Sequence, residues 1–117
     1  MNLRKVGAQG EEIAEKYLKQ QGYKILEKNY HASRFSEIDI IARHNKMLVF
    51  VEVKLRTSLK QGYGREAVTK RKQDNIRYGA EHYMCFKLKK EETCRFDVLE
   101  ITLIDNEQRI KLIENAF

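Results

Sequence analysis

The stretch Met47-Leu48-Val49-Phe50-Val51-Glu52-Val53-Lys54-Leu55 decides the fold of this 117-residue chain. It begins with a continuous apolar run, which is typical of a central strand covered on both faces. Glu52 and Lys54 then interrupt the run. Because residues i and i+2 of a strand point to the same face, these two charges are neighbours at the end of a buried strand. We therefore expect a compensating partner, such as a metal, a ligand or a salt-bridge network.

The preceding segment, residues 36–43, repeats this pattern and is also predicted to be a strand. Simple alternation places Glu37 and Asp39 on one face and Ile38 and Ile40 on the other. A second pair of acidic side chains thus accompanies a strand that is otherwise apolar.

A short turn at residues 44–46 would join the two strands into a β-hairpin and bring Asp39 close to Glu52. Adjacent carboxylates repel each other and favour a cation between them. Lys54 offers one positive charge, whereas Mg²⁺ takes carboxylates together with waters and substrate phosphates. The alternative is a salt-bridged sheet end in which Glu52 and Lys54 form a solvated pair.

The remaining pattern predicts a single α/β domain over residues 1–117 with a central mixed sheet and a helix on each side. The expected elements are a helix at 5–21, an extended segment at 23–30, a helix at 65–84, a strand at 94–104 and a strand or short helix at 108–114. The order is therefore α-β-β-β-α-β with one further element.

Two charged side chains lie close to the apolar faces of the predicted helices. Glu11 borders the apolar stripe of the first helix, so it either reaches the sheet end or is an ordinary first-turn acid. Lys72 lies along the apolar stripe of the second helix, so it either extends to the rim or points into a cleft.

The excess of positive charge is local. The chain has 23 basic and 17 acidic residues and a net charge of +6. Residues 54–77 alone account for this excess, with two acidic residues and eight basic ones, namely Lys54, Arg56, Lys60, Arg65, Lys70, Arg71, Lys72 and Arg77. A basic surface of this kind favours nucleic acid as a partner over an anionic membrane, because the basic helix lacks a large apolar face with aromatic anchors.

Several classes of protein are excluded. No apolar run is long enough to span a membrane, and the charged N-terminus has no signal-peptide core. Cys85 and Cys94 do not match a zinc pattern, and we expect two free thiols in a reducing cytoplasm. The sequence contains neither a Walker-type phosphate loop nor a recognisable nucleophile triad.

Five sequence blocks in this order resemble the bacterial YraN family, and the match covers roughly residues 5–104. The blocks are Gly7-x-x-Gly10-Glu11-x-x-Ala14-x-x-Tyr17-Leu18-x-x-x-Gly22-Tyr23, Ser36-Glu37-Ile38-Asp39-Ile40-Ile41-Ala42, Val49-Phe50-Val51-Glu52-Val53-Lys54-x-Arg56, Lys72, and Arg95-Phe96-Asp97-Val98. That family has a restriction-endonuclease-like fold, is similar to archaeal Holliday-junction resolvases and belongs to the PD-(D/E)xK nuclease group. Ser36 stands where the family usually has Gly, so the local backbone is expected to differ.

The resemblance implies a three-layer α/β/α restriction-endonuclease-like domain and a metal-dependent endonuclease site. Asp39 matches the first acid of the motif, and Glu52 and Lys54 match its (D/E)xK part. Glu11 matches the helix acid of the resolvase-like branch. Asp39, Glu52 and Glu11 would hold Mg²⁺ or Mn²⁺, with the carbonyl of Val53 as a further ligand.

The resemblance also implies DNA as the partner, with branched molecules as the substrate and a homodimer as the route to two symmetric cuts. Phosphate contacts are expected from the basic residues that follow the site, namely Arg56, Lys60, Arg65, Lys70, Arg71 and Lys72. The alternative is a non-catalytic nucleic-acid-binding or interaction module on the same fold.

Overall fold

The structure is a computed structural model that describes residues 3–57 and 68–117. Its elements are α1 (Leu3–Gln20), β1 (Lys24–Ser33), β2 (Ser36–His44), β3 (Met47–Arg56), α2 (Lys70–Tyr83), a π-helical turn (Met84–Leu88), β4 (Cys94–Ile104) and β5 (Glu107–Ile113). The predicted order is confirmed, with β5 as an additional strand. Within the described part of the chain, no helix is long and apolar enough to cross a membrane.

The five strands form one mixed sheet in the order β1-β2-β3-β4-β5. Neighbouring strands are antiparallel except β3 and β4, which are parallel and are connected through α2. On one face, Ala14 and Leu18 of α1 pack with Val49 and Val51 of the sheet. On the other face, α2 packs mainly against β1 and β2, and its Ala80 and Tyr83 share a core cluster with Leu48 and Phe50. The predicted α/β fold with a helix on each side of a mixed sheet is therefore confirmed.

Two of the three hairpins in the described sheet close with a two-residue turn that has positive φ at both residues. Asn45 and Lys46 connect β2 to β3 with φ values of 49° and 71°, and Asp105 and Asn106 connect β4 to β5 with φ values of 51° and 62°. Positive φ at both central residues gives a turn whose twist matches that of the flanking strands. The alternative left open for residues 108–114 is thereby decided in favour of a strand.

The face of β2 changes at Asp39, in contrast to the prediction. Ile38 packs in the core beside α2, whereas Ile40 packs in the core beside α1. Asn29 of β1 has a φ of 51° and lies between the register pairs Tyr30–Ile38 and Lys28–Ile40. The prediction that Ile38 and Ile40 share one face is wrong, and the change of face lies opposite the positive φ of Asn29 on the neighbouring strand.

Helix α2 begins later than predicted. Residues 68 and 69 are not helical, and the Oγ1 of Thr69 accepts a hydrogen bond of 3.2 Å from the backbone N–H of Lys72. This capping contact satisfies a backbone donor that has no partner within the first turn. The helix therefore starts at Lys70, and residues 65–67 of the predicted helix lie outside the described residues.

A buried ion pair lies on β4, where Asp97 is in register with Val51, the residue before Glu52. Asp97 has no solvent exposure and accepts hydrogen bonds from Arg95 Nε at 2.9 Å and from the N–H of Asn115 at 3.1 Å. Arg95 Nη2 also donates to the hydroxyl of Tyr23 at 2.8 Å. The network joins β4 to the segment after α1 and to the C-terminal residues, which gives the Arg95-Phe96-Asp97 block a structural role.

Helix α2 approaches the sheet closely at Gly79. A Cβ atom at this position would lie 2.7 Å from Ser36 Oγ and 3.0 Å from Ile38 Cδ1. Ser36 is buried, and its hydroxyl donates to the carbonyl of Asn75 at 2.6 Å. The serine that replaces the expected glycine thus anchors α2 to β2, and its φ is not positive.

We expect Gly79→Ala to destabilise the protein by about 1–3 kcal/mol, because overpacking outweighs the gain of about 1 kcal/mol in helix propensity. Urea unfolding provides the measurement. In a Ser36→Gly background the same substitution should cost less, since its closest clash is removed. A Gly79→Ala protein as stable as the wild type would contradict the close approach.

Candidate functional site

Glu52 lies at the centre of a group of charges on the α2 side of the sheet. It is only 5% exposed, and its Oε1 lies 2.6 Å from Lys72 Nζ and 3.5 Å from Lys54 Nζ. The predicted proximity of Glu52 and Lys54 is confirmed. The sequence left two positions open for Lys72, at the rim or in a cleft. The structure shows the second, because the ammonium of Lys72 points inward and contacts Glu52.

Asp39 lies beside Glu52 at the point where β2 changes face. The Oδ2 of Asp39 accepts a hydrogen bond of 2.8 Å from the backbone N–H of Val53. The pairing of β2 with β3 runs from the turn as far as Ile40 and Val51 and ends there. Asp39 is therefore the first residue of β2 beyond this pairing, while β3 continues to Val53. The predicted proximity of Asp39 and Glu52 is confirmed.

Burial and the neighbouring charge of Glu52 raise the pKa of Asp39 from 3.8 to about 7. Glu11 adds a smaller upward contribution, while the hydrogen bond from Val53 and the charge of Lys72 act in the opposite direction. A carboxyl group with this pKa is partly protonated near neutral pH and gains most from a cation placed beside it.

The two lysines differ in their electrostatic environment. Burial and the proximity of Lys72 lower the pKa of Lys54, and the attraction of Glu52 opposes this only in part. Burial also acts to lower the pKa of Lys72, but its hydrogen bond and charge interaction with Glu52 outweigh it and the pKa is raised. Lys54 therefore releases its proton more readily than an ordinary lysine. Proximity to carboxylates alone would raise its pKa instead.

Glu11 of α1 is near the pair but has its own partner. It is partly exposed, and its Oε2 accepts a hydrogen bond of 3.1 Å from Asn29 Nδ2. Across the described residues, no three acidic, histidine or cysteine side chains are grouped closely enough to hold one metal ion. The role predicted for Glu11 as a third ligand, and that of the Val53 carbonyl, stay predictions.

The donor set fits a hard divalent cation. Mg²⁺ is usually bound by one or two carboxylates, with waters and substrate phosphates completing its coordination. Asp39 and Glu52 supply two carboxylates whose mutual repulsion a cation would relieve. The residues that would hold Mg²⁺ or Mn²⁺ are therefore this pair.

The acidic pair opens into a cavity of about 350 Å³ between the β1–β2 hairpin and the first turns of α2. It is lined by His31, Arg34, Phe35, Glu37, Asp39, Glu52, Thr69, Arg71, Lys72, Asn75 and Ile76. The cavity thus combines carboxylates with the side chains of two arginines and a lysine, which suits a phosphate group.

The predicted phosphate contacts are only partly placed at this cavity. Arg71 and Lys72 line it, whereas Lys70 is exposed and pairs with Asp74 one turn later. Arg56 is the last residue of β3 and is partly buried. The remaining two, Lys60 and Arg65, lie outside the described residues.

Sequence reasoning missed three residues near the site. Arg34 and Phe35 occupy the turn between β1 and β2, and Glu100 is a buried carboxylate in register with Lys54 on the parallel strand β4. Glu100 could have been found from the sequence, because it is a charged residue within a predicted strand, as Glu52 is. Phe35 gave no signal, because an apolar residue in a short turn is common.

The raised pKa of Asp39 predicts a pH-dependent stability. Because the folded state binds this proton more tightly than the unfolded state, stability falls as pH rises from about 4 to about 7. Asp39→Asn removes this cost, so the variant should gain stability relative to the wild type over that range, by up to about 4 kcal/mol at about 1.4 kcal/mol per pKa unit.

Urea unfolding without divalent cations at about pH 4.5 and about pH 8 measures this difference. The exposed Glu12→Gln is the control, and its difference from the wild type should stay constant. A stability difference for Asp39→Asn that does not change with pH would refute the raised pKa.

Comparison with known proteins places this arrangement in a family. The sequence model of "Uncharacterised protein family UPF0102" matches residues 10–101. A UPF0102 protein of Acetivibrio thermocellus is 46% identical over 99% of this chain and 93% of its own length. One from Caldicellulosiruptor saccharolyticus is 44% identical over the full length of both chains, and one from Chlorobaculum parvum is 49% identical over 82% of this chain and 74% of its own. The resemblance to the YraN family is confirmed, and the chain belongs to the UPF0102 family.

Proposed function

We propose that this protein is a divalent-metal-dependent nuclease that hydrolyses phosphodiester bonds in DNA. The observation that carries the proposal is the pair of adjacent carboxylates, Asp39 and Glu52, in a cavity that also holds cationic side chains. A carboxyl group in a cleft whose pKa is strongly perturbed, as that of Asp39 is, is typical of functional sites. The resemblance to the PD-(D/E)xK nucleases supports the same reaction.

In this proposal Asp39 and Glu52 hold the cation. A bound divalent cation supplies Lewis-acid chemistry, which stabilises the charge that develops on the scissile phosphate. The hydrogen bond from the Val53 N–H to Oδ2 fixes the orientation of the Asp39 carboxylate, which would hold the cation together with Glu52. Glu52 is buried, so its carboxylate would attract a cation more strongly than a carboxylate exposed to bulk water.

The lysines and Arg71 act on the water and the phosphate. Lys54 orients the attacking water, whose oxygen forms a new bond to phosphorus while the bond from phosphorus to the leaving sugar oxygen breaks. The water loses a proton to solvent, and the leaving oxygen takes one up. Lys72 and Arg71 line the cavity and stabilise the additional negative charge on the phosphate oxygens.

Branched DNA is the substrate that the resolvase-like resemblance favours. Because one small domain contacts few base pairs, two symmetric cuts require two copies of the chain, and we propose a homodimer for that reason.

One observation favours the alternative, a nucleic-acid-binding module without catalysis. Glu52 already has two lysine partners within 3.5 Å, so its charge is balanced without a metal. Such a module would bind nucleic acid in a salt-dependent way and would not require divalent cations.

The proposal predicts cleavage that depends on Mg²⁺ or Mn²⁺ and on both carboxylates. On a panel of linear, flap and four-way DNA, Asp39→Asn and Glu52→Gln should lower the cleavage rate by about 100-fold or more, since each removes a charge that holds the cation. Lys54→Ala should also lower it. The matched control is Glu12→Gln, which changes an exposed carboxylate on α1 and should leave the rate unchanged.

The failure of the proposal would also be clear. Highly purified protein that cleaves none of these substrates, or that cleaves equally well with Glu52→Gln, excludes the nuclease. Calorimetric titration with Mn²⁺ separates the two candidates, because the nuclease requires metal binding that Asp39→Asn abolishes, whereas the binding module does not.

A further inference from the structure

Among the described residues, three large apolar side chains are exposed to solvent. Phe35 is 64% exposed in the turn between β1 and β2, Tyr78 is 51% exposed on α2, and Phe86 is 63% exposed in the π-helical turn that follows. All three are aromatic, although Leu, Ile and Val are abundant elsewhere in the chain. Exposed apolar groups that cluster near a cavity are typical of a binding surface.

Phe35 lies at the rim of the cavity that contains Asp39 and Glu52. Its turn is held on both sides. The N–H of Phe35 donates to Ser33 Oγ at 3.2 Å, and Ser36 Oγ donates to α2 at 2.6 Å. The structure therefore presents this ring in a defined position and does not tuck it into the core.

The other rings form a row along α2. Tyr78 and His82 have ring centroids 6.3 Å apart, and those of His82 and Phe86 are 4.6 Å apart. Tyr30 Oη lies 2.5 Å from His82 Nδ1, which fixes the central ring. Tyr78 follows Asn75, a residue of the cavity wall, by one helical turn, so the row begins where the cavity ends.

Positive charge accompanies the rings. The Cζ of Arg34 lies 5.1 Å from the centroid of Phe35, and Arg71 is exposed at the cavity wall. Within residues 3–57 and 68–117, neither arginine forms an ion pair with a carboxylate. An aromatic ring beside one guanidinium group, with a second one at the adjoining cavity, suits a ligand that carries both flat bases and phosphates.

We propose that Phe35 and the row Tyr78–His82–Phe86 form a stacking surface for unpaired DNA bases beside the cavity. The inference deepens the proposed function, because it assigns the single-stranded part of a substrate to this surface and its phosphate to the cavity. Bases inside a duplex are already stacked on each other and offer no free face, so the surface selects unpaired nucleotides. An apolar protein partner fits less well, because Arg34 flanks Phe35 and Arg71 and Lys72 line the adjoining cavity.

Tryptophan fluorescence tests the proposal directly, since the chain contains no Trp. Phe35→Trp and Tyr78→Trp each place a single fluorophore on the surface. Titration with single-stranded oligothymidylate in EDTA should quench both, whereas a blunt duplex of the same length should quench them weakly. Gln108→Trp, on exposed β5 at the other edge of the sheet, is the matched control and should not respond.

Affinity gives a second readout. Phe35→Ala should weaken binding of the single strand by roughly tenfold, and Phe35→Tyr should restore it, since stacking requires a ring and not its identity. Equal quenching by duplex and single strand would overturn the proposal. So would emission that changes with protein concentration alone, together with a doubled mass in solution, because the rings would then contact a second copy.

The outcomes separate this inference from the nuclease proposal. Binding is measured without divalent cations, so quenching by the single strand supports the stacking surface even if no substrate is cleaved. Conversely, metal-dependent cleavage with no quenching at either tryptophan overturns the stacking surface and leaves the nuclease standing.

Discussion

The buried charge of Glu52 is the constraint on which the arrangement of the site depends. A carboxylate that is 5% exposed loses most of its hydration, and without a partner this costs several kcal/mol. Lys54 comes from the same strand, but Lys72 comes from α2, so the first turn of that helix must lie within reach of the end of β3. The close approach at Gly79 brings the helix near enough for this contact. The charge balance of the site therefore depends on how α2 packs against the sheet.

Asp39 shows how an irregular strand creates a site. If β2 had kept its alternation, Ile38 and Ile40 would share one face of the sheet. Instead, the irregularity opposite Asn29 lets both isoleucines enter a core, one on each side of the sheet, while Asp39 lies between them. The local pairing is interrupted, and the backbone N–H of Val53 becomes available to the carboxylate. The irregularity thus supplies both the burial that raises the pKa of Asp39 and the hydrogen bond that orients it.

The sequence predicted the fold well because the apolar pattern of β2, β3 and β4 is strong and the turn at residues 44–46 is short. It predicted the proximity of Asp39, Glu52 and Lys54 because a short turn leaves little freedom of register. It did not predict the change of face at Asp39, because the prediction assumed strict alternation along β2, and that alternation breaks opposite the positive φ of Asn29. Nor did it predict Phe35 at the cavity rim, because the position of a turn relative to a distant helix is a tertiary property.

The ion pairs of the site change the interpretation of the positive charge in residues 54–77. Lys54 and Lys72 contact Glu52, and Lys70 pairs with Asp74, so part of the excess of +6 is already engaged inside the protein. Under the proposed function, a cation that takes over the charge of Glu52 weakens its hold on Lys72, whose side chain is 42% exposed. That ammonium then becomes available to a phosphate in the same cavity. Metal binding and phosphate binding would therefore favour each other, because both draw on the same ion pair.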